Sequence, residues 1–324
     1  MVEEIFSNLY RIEVPLPRNP LQAINSYVIK DGDRCLIIDT GMNRPECLSV
    51  MSAGLKELDI DLAKADFFIT HNHSDHLGLV SSLVTEKSTI YFNRPEANSS
   101  SKAGSSWGRN ADFADRNGFP EEERKQAIDN HPGRKYSPQG HLDFHVLGQG
   151  DTIRIGGYSL NCIETPGHTR GHMCLYEPDK KLFFSGDHIL IDITPNISLT
   201  SDDENPLQSY LDSLDKIYNL DIEMVLPGHR RRFRDHRARI DELKLHHEAR
   251  ASEVIAILEE GDKNAYQVAS QMTWDMTYES WDLFPPQQKW FAFAEAAAHL
   301  KYVEEKGEVE KQTQDQIVIY ALKK

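Results

Sequence analysis

The stretch ADFFITHNHSDHLG, residues 65–78, decides how this sequence is interpreted. Its first five residues form a largely apolar run of the kind that makes a buried strand. The polar residues after it place four metal-ligand types on the loop where that strand ends: His71, His73, Asp75 and His76. Imidazole and carboxylate bind zinc and related divalent ions, and so dense a group exceeds what one tetrahedral structural site requires. The sequence therefore predicts a centre for two adjacent ions.

Three later segments repeat the arrangement of an apolar strand followed by a glycine-containing turn and a ligand. They are TPGHTRGH at 165–172, FFSGDH at 183–188 and LPGH at 226–229. These segments supply His168, Asp187 and His229. Because strands of a rigid scaffold present their terminal loops along one edge, we expect all four loops to build a single site.

The composition is that of a globular protein: 39% of the 324 residues are hydrophobic and 27% are charged. Lys and Arg number 36 and Asp and Glu number 51, and the net charge of −15 disfavours nucleic acid and anionic membrane as partners. No run approaches the roughly 18 apolar residues of a membrane-spanning helix. The start MVEEIFSNLY lacks the basic and apolar regions of a signal peptide, so we expect a cytoplasmic protein.

The chain divides into a region of alternating strands and helices, 1–234, and a C-terminal region, 235–324. The first contains a mostly helical insertion at about 96–145, which is rich in Ser, Asn, Gly and charge. The second carries helical patterns near 235–260, 265–272 and 287–305, and then two short β-like runs. Three helices and a terminal hairpin predict a winged-helix-like module.

In these motifs and their order the sequence resembles the metallo-β-lactamase superfamily, in its glyoxalase-II-like branch. The segment LIIDTG at 36–41, with Asp39, is the first of the motifs. The resemblance implies an α+β fold, a four-layer αββα sandwich. It implies that His71, His73 and His168 hold one metal, and that Asp75, His76 and His229 hold the second. Asp187 would bridge the two ions, and Asp39 would orient ligands from behind.

The implied function is hydrolysis of a small ester, thioester or lactone by a metal-activated water, with two divalent ions as cofactors. Zinc is the expected metal, while iron and manganese accept the same ligands. Asp75 would orient the water or carry a proton. A second hypothesis is a phosphodiesterase, since the C-terminal module resembles that of a lactamase-like endoribonuclease group. A third is a metal-bound ligand-binding or regulatory protein, and a fourth is an iron-dependent enzyme like the persulfide dioxygenases. The expected partner is a small-molecule substrate, with nucleic acid less favoured.

Several other residues admit two interpretations. His172 is either an eighth ligand or forms a hydrogen bond beneath the site, and we favour the second. We expect His188 to point away from the site if the local backbone is extended, and His247 to be a packed side chain. The arginines that follow His229 would either contact RNA or pair with acidic residues, and we favour the second: Arg230, Arg231, Arg232, Arg234, Arg237 and Arg239. The insertion would either cover the metals or pack as a helical pad on the edge of the sandwich. In the first case the insertion and the C-terminal module would wall a pocket, with specificity left to Trp107, Phe113, Tyr136 and Trp290 and with Arg109, Arg116 and Arg134 nearby.

Overall fold

Two β-sheets form the centre of the protein, and the computed structural model describes residues 2–101, 103–275 and 277–323, apart from the side chains of 99–106. The ends of the predicted regions, Met1 and Lys324, lie outside it. The first sheet has seven strands in chain order: β1 Val2–Phe6, β2 Leu9–Pro15, β3 Ala23–Asp31, β4 Arg34–Ile38, β5 Ala65–Phe68, β6 Ile90–Asn93 and β7 His145–Leu147. The strands are antiparallel up to β4 and parallel beyond it.

The second sheet has the order β12-β11-β10-β9-β8. Its strands are β8 Thr152–Ile155, β9 Tyr158–Glu164, β10 Met173–Glu177, β11 Leu182–Gly186 and β12 Met224–Pro227. Only β11 and β12 pair in parallel, because helix α8 connects them. A separate hairpin joins β13 Val309–Gln314 to β14 Ile317–Leu322.

The helices of the first region are α1 Pro45–Glu57, α2 Ser74–Leu77, α3 Val80–Leu83, α4 Arg94–Ser101, α5 Ala103–Arg116, α6 Glu121–Asn130, α7 Pro132–Lys135 and α8 Pro206–Tyr218. The second region has α9 His236–Glu259, α10 Ala265–Gln271 and α11 Pro286–Glu305. The helical insertion and the three C-terminal helices with their hairpin are confirmed, whereas the boundary near 234 and the winged-helix description stay predictions.

The layers follow from strands that bury both faces. In β11, Phe183 packs toward the helices and Phe184 packs toward the other sheet. In β4, Ile37 faces the helical side while Ile38 faces the second sheet. Neighbouring side chains of a strand point to opposite faces, so a continuous apolar run marks a strand covered on both sides. Three apolar clusters thus separate four layers, and the predicted αββα sandwich is confirmed.

The insertion and the C-terminal helices share one apolar core. Phe119, which follows α5, has its ring 5.2 Å from that of Phe293 in α11 and 5.1 Å from that of Tyr266 in α10. Beside these rings, Lys289 of α11 donates to Glu123 of α6 at 2.6 Å. Because this core is continuous with the layer of α8 and α9, the helices beside the metal-ligand loops are packed on one another.

One element differs from the prediction. The sequence pattern predicts a single helix over residues 77–83, but the structure has α2 and α3 with a break between them. At the break Gly78 lies against backbone, and an added Cβ would stand 2.3 Å from the Ser74 carbonyl oxygen. The Leu79 N–H donates to the Gly41 carbonyl instead of continuing the helix. This contact fixes the first ligand loop on the loop after β4.

Candidate metal centre

The structure brings all of the predicted ligands together at one edge of the sandwich. They form three overlapping groups whose ligand atoms lie within 4.8 Å of one another: His71, His73 and His168; His71, His76 and Asp187; Asp75, His76 and His229. The loop after β5 leads into α2, and this short helix places Asp75 and His76 beside the histidines of the extended segment before it.

The first group consists of three histidine nitrogens at ligand spacing. His73 Nδ1 lies 3.0 Å from His71 Nε2 and 3.0 Å from His168 Nε2. Nitrogens on one tetrahedral zinc ion stand about 3.3 Å apart, given Zn–N distances of about 2.0–2.1 Å. His71 is buried, His73 is exposed and His168 is partly exposed, so this group opens to solvent on one side.

The group of Asp75, His76 and His229, called the second group below, is fully buried, and the Asp187 carboxylate joins it to the first group. His229 Nε2 lies 3.4 Å from Asp75 Oδ2 and 3.5 Å from Asp187 Oδ2. The same Asp187 oxygen lies 3.6 Å from His168 Nε2, while Asp187 Oδ1 lies 3.4 Å from His76 Nε2. The Asp187 carboxylate therefore stands between the two ligand sets.

Three polar atoms at this point are buried without a hydrogen-bond partner among the described residues: His76 Nε2, His229 Nε2 and Asp187 Oδ1. Leaving such atoms unpaired is costly, and all three are metal-ligand atoms aimed at the same space. Burial alone would lower the pKa of His229, but Asp187 and Asp75 raise it to about 10. The metal-free site would hold a proton there that metal binding releases. These residues fit a divalent metal.

Contacts behind the ligands fix how the rings are oriented. The Nδ1 atoms of His168 and His229 lie 2.8 Å and 2.7 Å from the carbonyl oxygens of Asn196 and Ala23. A carbonyl only accepts hydrogen bonds, so each Nδ1 carries a proton, and in the neutral, metal-binding form each Nε2 presents a lone pair to the centre. Sequence reasoning missed Asn196 and Ala23, because a main-chain carbonyl leaves no signature in the side chains.

Asp39 performs the orienting function that the sequence predicts. Its Oδ2 lies 2.7 Å from His76 Nδ1, and its Oδ1 accepts the Thr70 N–H at 2.9 Å. Asp39 has a φ of 57°, a left-handed conformation that Asp adopts more readily than most residues. The carboxylate thereby ties the loop after β4 to the first ligand loop.

The other histidines occupy the positions expected of them. His172 accepts the Asp187 N–H at Nε2 over 3.1 Å, which confirms a hydrogen bond beneath the site. His188 is buried with its ring 5.3 Å from that of Tyr210. His247 is buried and contacts His299, 3.2 Å away.

Glycine at position 228 allows the fourth ligand loop to approach the centre. A Cβ added there would stand 2.7 Å from Asp187 Oδ1 and 2.8 Å from His76 Cε1. Contacts this close are sterically forbidden, so a side chain at this position would displace ligands of the second group. Close packing against these ligands therefore explains why glycine stands at this position of LPGH.

The sequence pattern of the metallo-beta-lactamase superfamily matches residues 19–229. The chain belongs to the metallo-β-lactamase superfamily. Membership implies divalent metal binding and supports hydrolase activity, in agreement with the fit of the ligand groups.

Relatives and solved structures agree with this assignment. A metallo-beta-lactamase family protein from Thermus thermophilus has a TM-score of 0.81 and 27% identity, over 99% of this chain and all of that one. The lactamase-like protein aptB of Emericella nidulans is 27% identical over 74% of this chain and 62% of its own length. An atrochrysone carboxyl ACP thioesterase of the same fungus is 25% identical over 70% and 57%. The chain spans about three fifths of the length of these two curated relatives.

In this metallo-β-lactamase superfamily member, a cleft of about 1700 Å³ opens over the metal-ligand groups. It is lined by His73, Asp75, His168 and Asp187, and by residues of the insertion and of α11. Trp107, Tyr136 and Trp290 line it, as predicted. The prediction for Phe113 is wrong, because this ring is 2% exposed and packs on Phe293, 6.2 Å away.

Charged residues near the cleft are mostly paired. Of the three insertion arginines only Arg109 lines the cleft, while Arg116 pairs with Asp202 and Arg134 with Asp129. In the run after His229, two arginines pair with a carboxylate: Arg231 with Asp192 and Arg232 with Glu3. Two donate to carbonyl oxygens: Arg230 to Pro20, and Arg237 to Tyr218 and Leu220. Arg239 does both, with Glu242 and with the carbonyls of Leu190 and Ile193. Pairing with acidic residues, the favoured interpretation, holds for Arg231, Arg232 and Arg239, whereas Arg230 and Arg237 donate to carbonyl oxygens. No helix in the described ranges is long and apolar enough to cross a bilayer.

Helix α11 is linked to the metal-ligand groups through Glu295 and Asn196. Glu295 accepts from Asn196 Nδ2 at 2.9 Å, and the carbonyl of this same asparagine holds His168. Burial raises the pKa of Glu295 to about 6, and the Arg250 guanidinium 3.8 Å away offsets only part of this effect. The C-terminal region therefore reaches a metal ligand through one intervening residue.

Replacing Glu295 with Gln should change how stability depends on pH. Because the folded-state pKa of Glu295 lies above the ordinary 4.5, the stability that its protonated carboxyl contributes is complete below pH 4.5 and is lost as pH rises through about 6. As pH rises between those limits, the free energy of unfolding of E295Q should increase by about 2 kcal/mol relative to that of wild type. Chemical denaturation across the range measures it, with E122Q at an exposed position as control. A difference that does not vary with pH would contradict the assignment.

Proposed function

We propose that this chain is a dinuclear metal-dependent hydrolase of acyl substrates, namely thioesters, esters or lactones. The observation that carries the proposal is the position of Asp187. One of its oxygens lies near His168 of the first group and near His229 of the second, and its other oxygen lies near His76. A carboxylate placed between two ligand sets is suited to bridging two cations.

In this proposal the first ion is held by His71, His73 and His168, the second by Asp75, His76 and His229, and both by Asp187. Zinc is the metal we favour, since it accepts mixed imidazole and carboxylate ligands at tetrahedral spacing. Two bound cations supply a nucleophile at neutral pH by lowering the pKa of water, and they polarise the substrate carbonyl. No serine or cysteine nucleophile is then required of the chain.

The protein contributes orientation. Burial would raise the pKa of Asp75, but in the metal-free site the hydrogen bond from His229 and the charge of His76 hold it at about 2. With metal bound, the cation would replace these protons in favouring the ionised carboxylate. An ionised Asp75 suits a hydrogen-bond acceptor that aligns the attacking water, so we favour orientation over proton transfer.

The acyl class is favoured over the phosphodiester class by the surroundings of the site. The arginines that follow His229 are largely engaged with carboxylates and carbonyls of the protein, and Trp107, Tyr136, Trp290 and Phe291 supply aromatic surface to the cleft wall. Relatives that include an ACP thioesterase add support for a thioester. The proposed partner is a small-molecule substrate, with nucleic acid and membrane not proposed.

A hydrolysis panel on metal-quantified protein tests the proposal. It compares an acyl thioester, a lactone, an activated phosphodiester and a short RNA under equal conditions. We expect close to two zinc ions per chain and turnover of the thioester or lactone well above that of either phosphodiester. Preferential cleavage of RNA would establish the nuclease hypothesis instead. One iron per chain together with oxygen consumption on a persulfide would establish the dioxygenase hypothesis.

A further inference from the structure

His131 stands in the wall of the cleft, away from the metal-ligand groups, at the junction of α6 and α7. Its ring contacts two aromatic rings, with centroids 4.8 Å from Trp107 of the insertion and 5.3 Å from Phe291 of α11. Both neighbours also line the cleft. The imidazole is therefore packed against side chains from two separate parts of the sequence.

The hydrogen bond on one side of this ring determines which nitrogen carries the proton. His131 Nδ1 accepts the Gly133 N–H at 3.1 Å and caps the start of α7. A nitrogen that accepts a hydrogen bond has no proton of its own, so the proton of a neutral ring is on Nε2. Burial lowers the pKa of His131 to about 4, which keeps the ring neutral at physiological pH. Nε2 is thus a fixed N–H donor.

This donor has no acceptor within the protein. Nε2 of His131 makes no hydrogen bond to any residue of the described ranges, although the other nitrogen is satisfied. The Nε2 atom itself is not fully buried, and because the residue lines the cleft, this donor is open to the cleft. A neutral, oriented donor between two aromatic rings suits an oxygen acceptor on a largely apolar molecule.

We propose that His131 determines specificity by donating its Nε2–H to an acceptor oxygen on the acyl portion of the substrate. The inference rests on the proposed acyl hydrolysis and deepens it. No contact joins His131 to a metal-ligand side chain, and we assign to it an oxygen other than that of the scissile carbonyl. Trp107 and Phe291 would pack against the apolar atoms on either side. The substrate class is therefore an acyl chain or ring with a remote keto, amide or ether oxygen.

The expected discrimination comes from the hydrogen bond rather than from the apolar walls. Aromatic walls accept acyl groups of similar size with little selectivity, because one methylene changes binding only modestly. A substrate lacking the oxygen would leave the donor unpaired against apolar atoms and lose about 10- to 100-fold in kcat/KM. Most of this loss should appear in KM, since the contact forms on binding and lies away from the reacting atoms.

The test uses N-acetylcysteamine thioesters in which a ketone occupies successive positions of the acyl chain, each paired with its methylene counterpart. Wild-type holoenzyme should prefer one ketone over its counterpart by about 10- to 100-fold. In His131→Phe, which keeps an aromatic ring, that ratio should fall toward one. His131→Asn provides a second variant, because Asn still caps α7 but is too short to reach the same position. His145→Phe, at an exposed ring outside the cleft, should keep the wild-type ratio.

Hydrolysis of the series without preference for any ketone would overturn the assignment of His131 and leave the proposed function intact. A ketone preference that persists in both variants would overturn it as well. If metal-loaded protein hydrolyses a lactone or an ester but no thioester of either kind, the specificity role is overturned and the proposed function stands. If it hydrolyses none of the three acyl classes, the proposed function fails, and the specificity role fails with it. Metal content and the unfolding midpoint of each variant show that the comparison is made on folded, loaded protein.

Discussion

Asp187→Asn is expected to leave the purified protein with clearly fewer than two metal ions per chain and to lower kcat/KM by more than about 100-fold. The carboxylate oxygens stand between His168, His76 and His229 at 3.4 to 3.6 Å. An amide offers one neutral oxygen in place of two charged ones. Two cations would then face each other without the negative charge between them, so affinity should fall at both positions. Elemental analysis and steady-state kinetics measure the two effects.

The matched control is Asp59→Asn. Asp59 is exposed and has a φ of 54°, a conformation that asparagine tolerates well, so the same chemical change there should alter neither metal content nor turnover. A D187N variant with two tightly bound ions and wild-type kcat/KM would show that this carboxylate does not bridge a metal pair.

Phe293→Ala should have the largest effect on stability, with a loss of about 3 to 5 kcal/mol in the free energy of unfolding. The ring is 1% exposed and lies 5.2 Å from Phe119 and 6.2 Å from Phe113 of the insertion. Removing it leaves a cavity between two parts of the chain that are about 180 residues apart in sequence. Denaturant unfolding measures the change.

Leu245→Ala on α9 serves as the control, since that side chain is 64% exposed and its truncation should cost little. If F293A were no less stable than L245A, the insertion and the C-terminal helices would not depend on a common core. Protease digestion of F293A should also open the insertion and α11 together rather than one at a time.

The sandwich could be predicted because its strands bury both faces. Runs such as RCLIID and ADFFI contain few polar positions, and the structure places alternate residues of β4 in two different apolar clusters. The ligand set was predictable for a related reason, because each loop follows such a strand directly. The strand that the pattern did not indicate is β1, which has two charged residues among its five and forms an edge of the sheet.

Other features depended on partners that are remote in sequence. Phe113 resembles a cleft residue in the sequence, but Phe293 in α11 buries it. The carbonyls of Ala23 and Asn196 orient two ligands, yet any residue type supplies a carbonyl. Periodicity describes a segment and its two faces, whereas these roles arise only when distant segments meet.

The contact between Asn196 and Glu295 has a consequence for the order in which the protein matures. During synthesis His168 emerges well before α11, so its ring lacks the support that Glu295 gives to Asn196 until α11 has left the ribosome. His229 has no such delay, because its partner Ala23 in β3 emerges about 200 residues earlier. Nascent chains that end before residue 286 should therefore bind metal weakly, and tight metal binding should begin only when α11 docks.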